Sequence, residues 1–249
     1  MLEGLNLSKY YGGTEALHDF TIQVGQGEIL GLVGDNGAGK STTIKILSGA
    51  VAPDKGEIRF KGSVIDDYSV PKARELGIET VYQEKTLLPQ HPLWRNVFLG
   101  RELQDRSGLL DVKEMKEETQ KLIRQYIGLR SRVINPDSII GNLSGGERQG
   151  VQIARALFFN AELVNLDEPI VGLSLVESEK VLGFIREIKA QNKSCIFVTH
   201  NISHVYSVAD RFVVLDRGRK VLDIPKHDVN LDQLTEKMME IVKVSNASA

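Results

Sequence analysis

Gly34-Asp35-Asn36-Gly37-Ala38-Gly39-Lys40-Ser41 is the segment from which the chain is best read. It fits G-x-x-x-x-G-K-[ST] at every fixed position. The apolar run Glu28 to Val33 precedes it and reads as a buried strand; Thr42 to Leu47 follows and reads as a helix. Each residue type has a physical reason. Glycines let backbone N–H groups curl around phosphate oxygens. A helix beginning there offers its N-terminal dipole to the same anion. Lys40 reaches β- and γ-phosphates, and Ser41 offers a hydroxyl to Mg2+. A mere glycine-rich turn would not need a strand before and a helix after it.

Working outward, Leu2 to Tyr11 and Leu17 to Val24 alternate as strands around the turn Gly12-Gly13. Glu57 to Phe60 is a short strand. From about Leu93 to Leu129 the pattern is helical, and the Lys- and Glu-rich stretch Val112 to Tyr126 reads as a solvated helix face. A helix is expected from about Glu147 to Phe159 and another from Val176 to Gln191. Leu163 to Leu166, Ser194 to Val198 and Phe212 to Leu215 are apolar runs of buried-strand type. Strands alternating with helices predict an α/β fold with a parallel sheet. A helical insertion interrupts that core.

Composition narrows the function. The 249 residues suffice for one large domain or two small ones. With 31 basic and 33 acidic residues the net charge is −2, which argues against nucleic-acid binding driven by bulk charge. The single cysteine, Cys195, excludes a disulfide framework and a multi-cysteine zinc site within one chain. Its apolar neighbours make it a core thiol. No run reaches the roughly 18 apolar residues of a membrane span, and the first thirty residues have no signal-peptide pattern. The expectation is a cytosolic chain that reaches a membrane only through a partner.

Two further segments carry chemistry. Leu163-Val164-Asn165-Leu166-Asp167-Glu168 puts two acids at the end of a buried parallel strand, where open sheets bind ligands. Asp167 is placed to orient Mg2+ through water, and Glu168 to polarise an attacking water. Asn165 is a polar intrusion that costs stability unless hydrogen-bonded. Leu143-Ser144-Gly145-Gly146-Glu147 precedes a helix; it reads as a capping box, or as a second phosphate-binding helix terminus.

Taken in order, Gly34 to Thr42, Gln83, Leu143 to Glu147, Leu163 to Glu168 and His200 resemble the full motif set of ATP-binding cassette ATPases. The resemblance covers nearly the whole chain. It implies a P-loop NTPase core with a mostly parallel sheet, an N-terminal antiparallel β subdomain and an inserted helical subdomain. The domain would be residues 1–243, with its core at about 1–89 and 156–243, the helical part at about 90–155, and 244–249 a fraying tail. It implies a head-to-tail homodimer holding two ATP molecules, each between the P-loop residues Gly34, Asp35, Asn36, Gly37, Ala38, Gly39, Lys40, Ser41 and Thr42 of one copy and Ser144, Gly145 and Gly146 of the other. Tyr11 would stack on adenine. Gln83 would touch Mg2+ and the water and link the site to the insertion. His200 would contact the γ-phosphate and hold Glu168.

There are departures. Ile170 stands where the family has Thr or Ser, and Ser174 where Asp often helps couple the two ATP sites. Glu147 replaces the commoner Gln. Ile78 to Glu84 and Asn96 to Glu102 look like ATPases of bacterial simple-sugar importers of the ribose, xylose and fructose type, here in single-cassette form. That implies a permease, an extracytoplasmic solute-binding protein acting indirectly, and a peripheral place on the cytoplasmic face of the inner membrane. Leu93, Trp94, Val97 and Phe98 read either as a groove for a permease helix or as core of the insertion. The competing reading is a soluble cassette ATPase acting on ribosomes or nucleic acid. Such proteins usually carry a second cassette, a coiled coil, zinc cysteines or a basic linker, and none is visible here.

Overall fold

A computed structural model describes residues 1–83, 87–127 and 134–247. In chain order its elements are β1 (Leu2–Tyr11), β2 (Thr14–Val24), β3 (Ile29–Val33), α1 (Lys40–Leu47), β4 (Lys55–Phe60), β5 (Ser63–Val64), α2 (Val70–Glu75) and β6 (Ile78–Val81). There follow α3 (Leu93–Phe98), α4 (Val112–Leu122), α5 (Gly145–Phe158), β7 (Leu163–Asp167), α6 (Leu175–Ala190), β8 (Ser194–Val198), α7 (Ile202–Val208), β9 (Arg211–Asp216), β10 (Arg219–Pro225) and α8 (Leu231–Ala247). The chain divides into two compact units.

The first unit comprises Met1–Gln83, Ala161–Pro169 and Ile185–Ala249. It holds two sheets. One is antiparallel, in the order β2-β1-β4-β5. The other runs β10-β9-β3-β8-β7-β6. Within it β9, β3, β8, β7 and β6 are parallel, and β10 closes one edge antiparallel to β9. Strands β3, β7 and β8 are buried at every position, which is why they read as unbroken apolar runs rather than alternating ones. Leu30, Leu32, Leu163, Ile196 and Val213 join Ile44 and Leu47 of α1 in one core. Each such side chain contributes about 1.5–3 kcal/mol by leaving water. Cys195 lies fully inside, and burial pushes its thiol pKa far up. The α/β fold and the antiparallel N-terminal sheet are thus as expected.

Asn165 is the exception among the buried strands. Its side-chain amide donates to Thr80 Oγ1 on neighbouring β6 at 3.1 Å, while Oδ1 is buried with no partner among the described residues. The cost anticipated from sequence is therefore only half offset.

The second unit comprises Glu84–Asn160 and Ile170–Phe184. Its core gathers Leu93, Val97 and Phe98 of α3, Met115 and Leu122 of α4, and Val151 and Ala154 of α5. Arg155 of α5 donates to Val97 O at 2.7 Å and Leu99 O at 2.6 Å. It thereby satisfies carbonyls at the C-terminal end of α3, where a cation is favoured.

One expectation needs correcting here, and one open alternative is decided. The stretch from Leu93 to Leu129 is not continuously helical: residues 99–111 form a loop closed by the bridge Gln104↔Leu110, and 128–129 lie outside the described residues. Asp105 explains the break. Its Oδ1 accepts from Ser107 N–H, Ser107 Oγ–H and Leu109 N–H, an Asx-type turn that competes with helix. The apolar patch 93, 94, 97, 98 is also mostly core. Leu93, Val97 and Phe98 are buried, and only half-buried Trp94 reaches outward. It borders a cleft of about 230 Å³ with Arg95, Phe98, Glu102, Gln104, Leu110 and Met115.

The backbone of α8 remains helical through Ala247, into the stretch expected to fray. Among the described residues no helix is long and apolar enough to cross a membrane.

Candidate functional site

The first unit brings the P-loop, both carboxylates and His200 to one edge. Because β3, β8 and β7 are parallel neighbours, their carboxyl ends open on the same side of the sheet. That is where ligands bind in open α/β sheets.

The loop after β3 is shaped by its glycines. Gly39 has φ +108°, and a Cβ there would lie 2.7 Å from Ala16 O. A Cβ at Gly34 would lie 2.2 Å from Leu215 O. Neither position admits a side chain without moving backbone. Helix α1 begins at Lys40, two residues earlier than expected, so Lys40 and Ser41 occupy its first turn. Lys40 is buried. Its Nζ donates to Gly34 O at 2.8 Å and Asp35 O at 2.9 Å, folding back across its own loop. Burial lowers its pKa, and the carboxylates of Glu168, Asp167 and Asp35 work against that shift. A desolvated ammonium held only by carbonyls can exchange them for phosphate oxygens.

Asp167 ends β7, buried. Burial raises its pKa, and the nearby Ser41 hydroxyl works against that shift. Its Oδ1 is buried and has no partner among the described residues. A buried carboxylate oxygen left free beside a serine hydroxyl suits a hard divalent cation. Mg2+ commonly takes one or two protein oxygens and fills its remaining positions with water and substrate phosphates. The residues present therefore fit Mg2+. Among the described residues no group of three or more His, Cys, Asp or Glu side chains could hold a metal by itself.

Glu168 follows at φ +51°, the left-handed region that a non-glycine residue rarely adopts. Its N–H donates to Val198 O on β8 at 3.0 Å, which holds the unusual backbone in place. The side chain is 8% exposed, and both its carboxylate oxygens lie 3.1 Å from His200 Nδ1. His200 itself is 60% exposed. Strain of about 1–3 kcal/mol at such a residue is held where it sets a geometry.

Other predicted residues also lie in the first unit. Tyr11 ends β1, exposed, with Lys9 Nζ 5.8 Å from its ring centroid. Gln83 lies two residues beyond β6 and is exposed. Asp35 and Asn36 are exposed at the loop tip, and Thr42 is half-buried on α1.

Ser144, Gly145 and Gly146 belong to the second unit, at the start of α5. The expected capping box is formed: Glu147 N–H donates to Ser144 Oγ at 3.2 Å, and Ser144 N–H donates to Glu147 Oε2 at 2.9 Å. Here the structure adds a residue that the motif reading passed over. Glu177, on the first turn of α6, accepts from Gly146 N–H at 3.0 Å. The S-x-x-E spacing of Ser174 and Glu177 is the signal by which it could have been found. For Asn165, no local signal points to Thr80, which is 85 residues away in sequence.

Comparison with known proteins agrees with this geometry. Residues 17–171 match the family model described as ABC transporter. The xylose/arabinose import ATP-binding protein of Sulfolobus acidocaldarius is 42% identical over 96% of this chain and 93% of its own length. The fructose import ATP-binding protein of Rhizobium meliloti is 39% identical over 93% of this chain and 90% of its own. Against the ribose import ATP-binding protein of Hahella chejuensis, identity is 36% over 97% of this chain, which spans only 47% of that relative's length. A nucleotide-free ATP-binding cassette from an ABC transporter shares the fold, with TM-score 0.83 and 24% identity over 97% of this chain and 98% of that one. A dimeric cassette in a post-hydrolysis state, bound to ADP and Pi, has TM-score 0.75 and 25% identity over 91% of this chain and 99% of that one. The chain belongs to the ABC transporter family and carries its ATP-binding cassette.

Proposed function

We propose that this ATPase is the energising subunit of a simple-sugar importer and works as a homodimer that closes on two ATP molecules. The observation that carries the chemistry is Glu168, buried, strained and held by His200 beside Lys40 and Asp167. The reading treats residues 1–243 as one cassette with its helical part at about 90–155.

In this reading Tyr11 stacks on adenine. The loop Gly34, Asp35, Asn36, Gly37, Ala38 and Gly39 wraps the phosphates, with Thr42 on the first turn of α1 supporting them. Lys40 leaves its two carbonyls for β- and γ-phosphate oxygens. Ser41 and Asp167 would hold Mg2+, with Gln83 reaching it, and the ion would neutralise charge on the phosphates. Glu168 orients the water and takes its proton as the water oxygen bonds to the γ-phosphorus. The bond from that phosphorus to the β–γ bridging oxygen breaks, giving ADP and phosphate. His200 positions Glu168 and contacts the γ-phosphate. Ser144, Gly145 and Gly146 of the second copy meet the γ-phosphate from the other side, so hydrolysis loosens the dimer.

Import, the permease and the solute-binding protein rest on the names of the sugar-import relatives, two of which match this chain over nine-tenths of their length. Those names speak for transport and against the ribosome or nucleic-acid reading. The homodimer is supported by the dimeric solved cassette. The protein would then sit peripherally on the cytoplasmic face of the inner membrane.

The test is capture of partners. Tagged Glu168→Gln protein is loaded with ATP and Mg2+ and drawn from gently solubilised native membranes. A multi-span permease together with a sugar-binding protein is the expected result. Ribosomal proteins or nucleic acid without a membrane partner would overturn transport and leave the ATPase chemistry standing.

A further inference from the structure

The start of α5 is already partly capped within the chain itself. The carboxylate of Glu177 accepts three hydrogen bonds. Oε1 takes Gly146 N–H at 3.0 Å. Oε2 takes Ser174 N–H at 3.1 Å and Ser174 Oγ–H at 2.9 Å. These donors hold its pKa down at about 2, as expected for a carboxylate accepting several hydrogen bonds. The packing is tight. A Cβ at Gly146 would lie 2.8 Å from Glu177 Cβ, and one at Gly145 2.8 Å from Leu173 Cδ2.

The three donors divide into two groups. Ser174 N–H and Oγ–H belong to the cap of α6, where Glu177 N–H donates back to Ser174 Oγ at 3.4 Å. Gly146 N–H belongs to the start of α5. Of the other N–H groups of that turn, Glu147 N–H is spent on Ser144 Oγ and Ser144 N–H on Glu147 Oε2. In the open chain, then, one donor of the turn that is to meet the second copy's γ-phosphate already serves an internal anion of the same charge sign.

We propose that Glu177 is a displaceable stand-in for the γ-phosphate: its carboxylate caps the start of α5 in the open chain and must yield Gly146 N–H when a second copy brings ATP to it. The proposal rests on the ATP-closed homodimer described above. Its consequence is a tuning of closure. Two anions cannot share one helix terminus at full strength, so each ATP-driven closure works against the hydrogen bonds of Glu177. Glu177 keeps its contacts with Ser174 throughout, so the carboxylate has somewhere to go. It is a positioning residue for α5, not a group that touches the reacting atoms.

A purely structural cap and a displaceable stand-in predict opposite signs. Removing a cap loosens α5 and weakens the dimer. Removing a competing anion frees the donor and strengthens it. Dimer formation is followed by light scattering across an ATP–Mg2+ titration, comparing Glu168→Gln with the double variant Glu168→Gln/Glu177→Gln. Glutamine keeps the shape packed against Gly146 and lacks the charge. The ATP concentration at half-dimerisation is expected to fall at least about fivefold in the double variant. ATP affinity of the open chain, measured below the dimerisation threshold, should be unchanged. Glu177→Asp keeps the charge, draws it back from Gly146 and serves if the glutamine variant does not fold. It should shift the midpoint in the same direction by less. A midpoint that is unchanged or raised overturns the proposal. If Glu168→Gln alone forms no dimer at any ATP concentration, the ATP-closed homodimer fails first, and this proposal falls with it.

Discussion

His200 Nδ1 stands 3.1 Å from each carboxylate oxygen of Glu168. A carboxylate only accepts, so the hydrogen between them belongs to Nδ1, and the ring's Nε2 is the nitrogen left for a ligand. Glu168 is meanwhile fixed from behind by its own N–H to Val198 O. The acid is thus held at both ends, by backbone and by imidazole, on two neighbouring strands. The arrangement suits a general base whose water must be aligned before the bond to phosphorus forms.

Glu168→Gln removes the proton acceptor and keeps the shape. Steady-state hydrolysis should fall by about 10²–10⁴-fold, while ATP binding persists and ATP traps the dimer. Phosphate-release assays and size-exclusion chromatography with ATP check both parts. Hydrolysis at the wild-type rate would remove Glu168 from the role of base.

His200→Ala should act through geometry. With Glu168 released, kcat is expected to drop by about 10²-fold, with less effect on the ATP concentration at half-maximal rate. His200→Gln retains a donor and should recover part of the loss. Equal rates for all three proteins would show that the contact is idle.

Lys40→Ala leaves Gly34 O and Asp35 O without their ammonium and the phosphates without its charge. A charge-assisted hydrogen bond is worth about 1.5–3 kcal/mol, so ATP affinity should weaken by roughly 10- to 100-fold. Nucleotide titration with a fluorescent analogue reads this directly.

Thr80→Val takes away the one hydrogen-bond partner that the buried Asn165 side chain has among the described residues. The cost should be about 1–3 kcal/mol in urea unfolding. Thr80→Val with Asn165→Val replaces both groups by apolar ones and should recover most of it. A double variant as unstable as Thr80→Val alone would mean that shape, not the unpaired amide, sets the cost.

Glu177 supplies a pH dependence. Its folded pKa of about 2 lies below its ordinary value of 4.5. Its contribution to stability is therefore complete above pH 4.5 and is lost as pH falls towards 2. At pH 6 Glu177→Gln should unfold at lower urea than the wild type. That difference should shrink between pH 4.5 and 3. A gap that stays constant across this range would show that the carboxylate gains nothing from its charge in the folded chain.

Much of this site is legible in the linear order of residues because its parts are local. A strand, a glycine-rich loop and a helix stand together over Ile29–Leu47, and their apolar spacing and φ requirements are written within a few residues of each other. The box of Ser144 and Glu147 is likewise a three-residue relationship. Asp167 and Glu168 follow the apolar run that becomes β7. The loop at 99–111 is not legible in the same way, because the turn chemistry of Asp105 and Ser107 competes at short range with a helical pattern on both sides.

What folding alone decides are the pairings across long chain separations. Strand order β3-β8-β7 brings Lys40, His200 and the two acids to one edge, and no periodicity encodes which strand lies beside which. The left-handed backbone of Glu168 depends on a carbonyl of β8. Thr80 meets Asn165 only because β6 pairs with β7. Glu177 reaches Gly146 only because two glycines let the starts of α5 and α6 approach within side-chain contact. Residue type and spacing are local properties of a chain and reveal which groups can do chemistry. Their distances are set by packing of the whole sheet and helix surface, and that is settled only when the chain is folded.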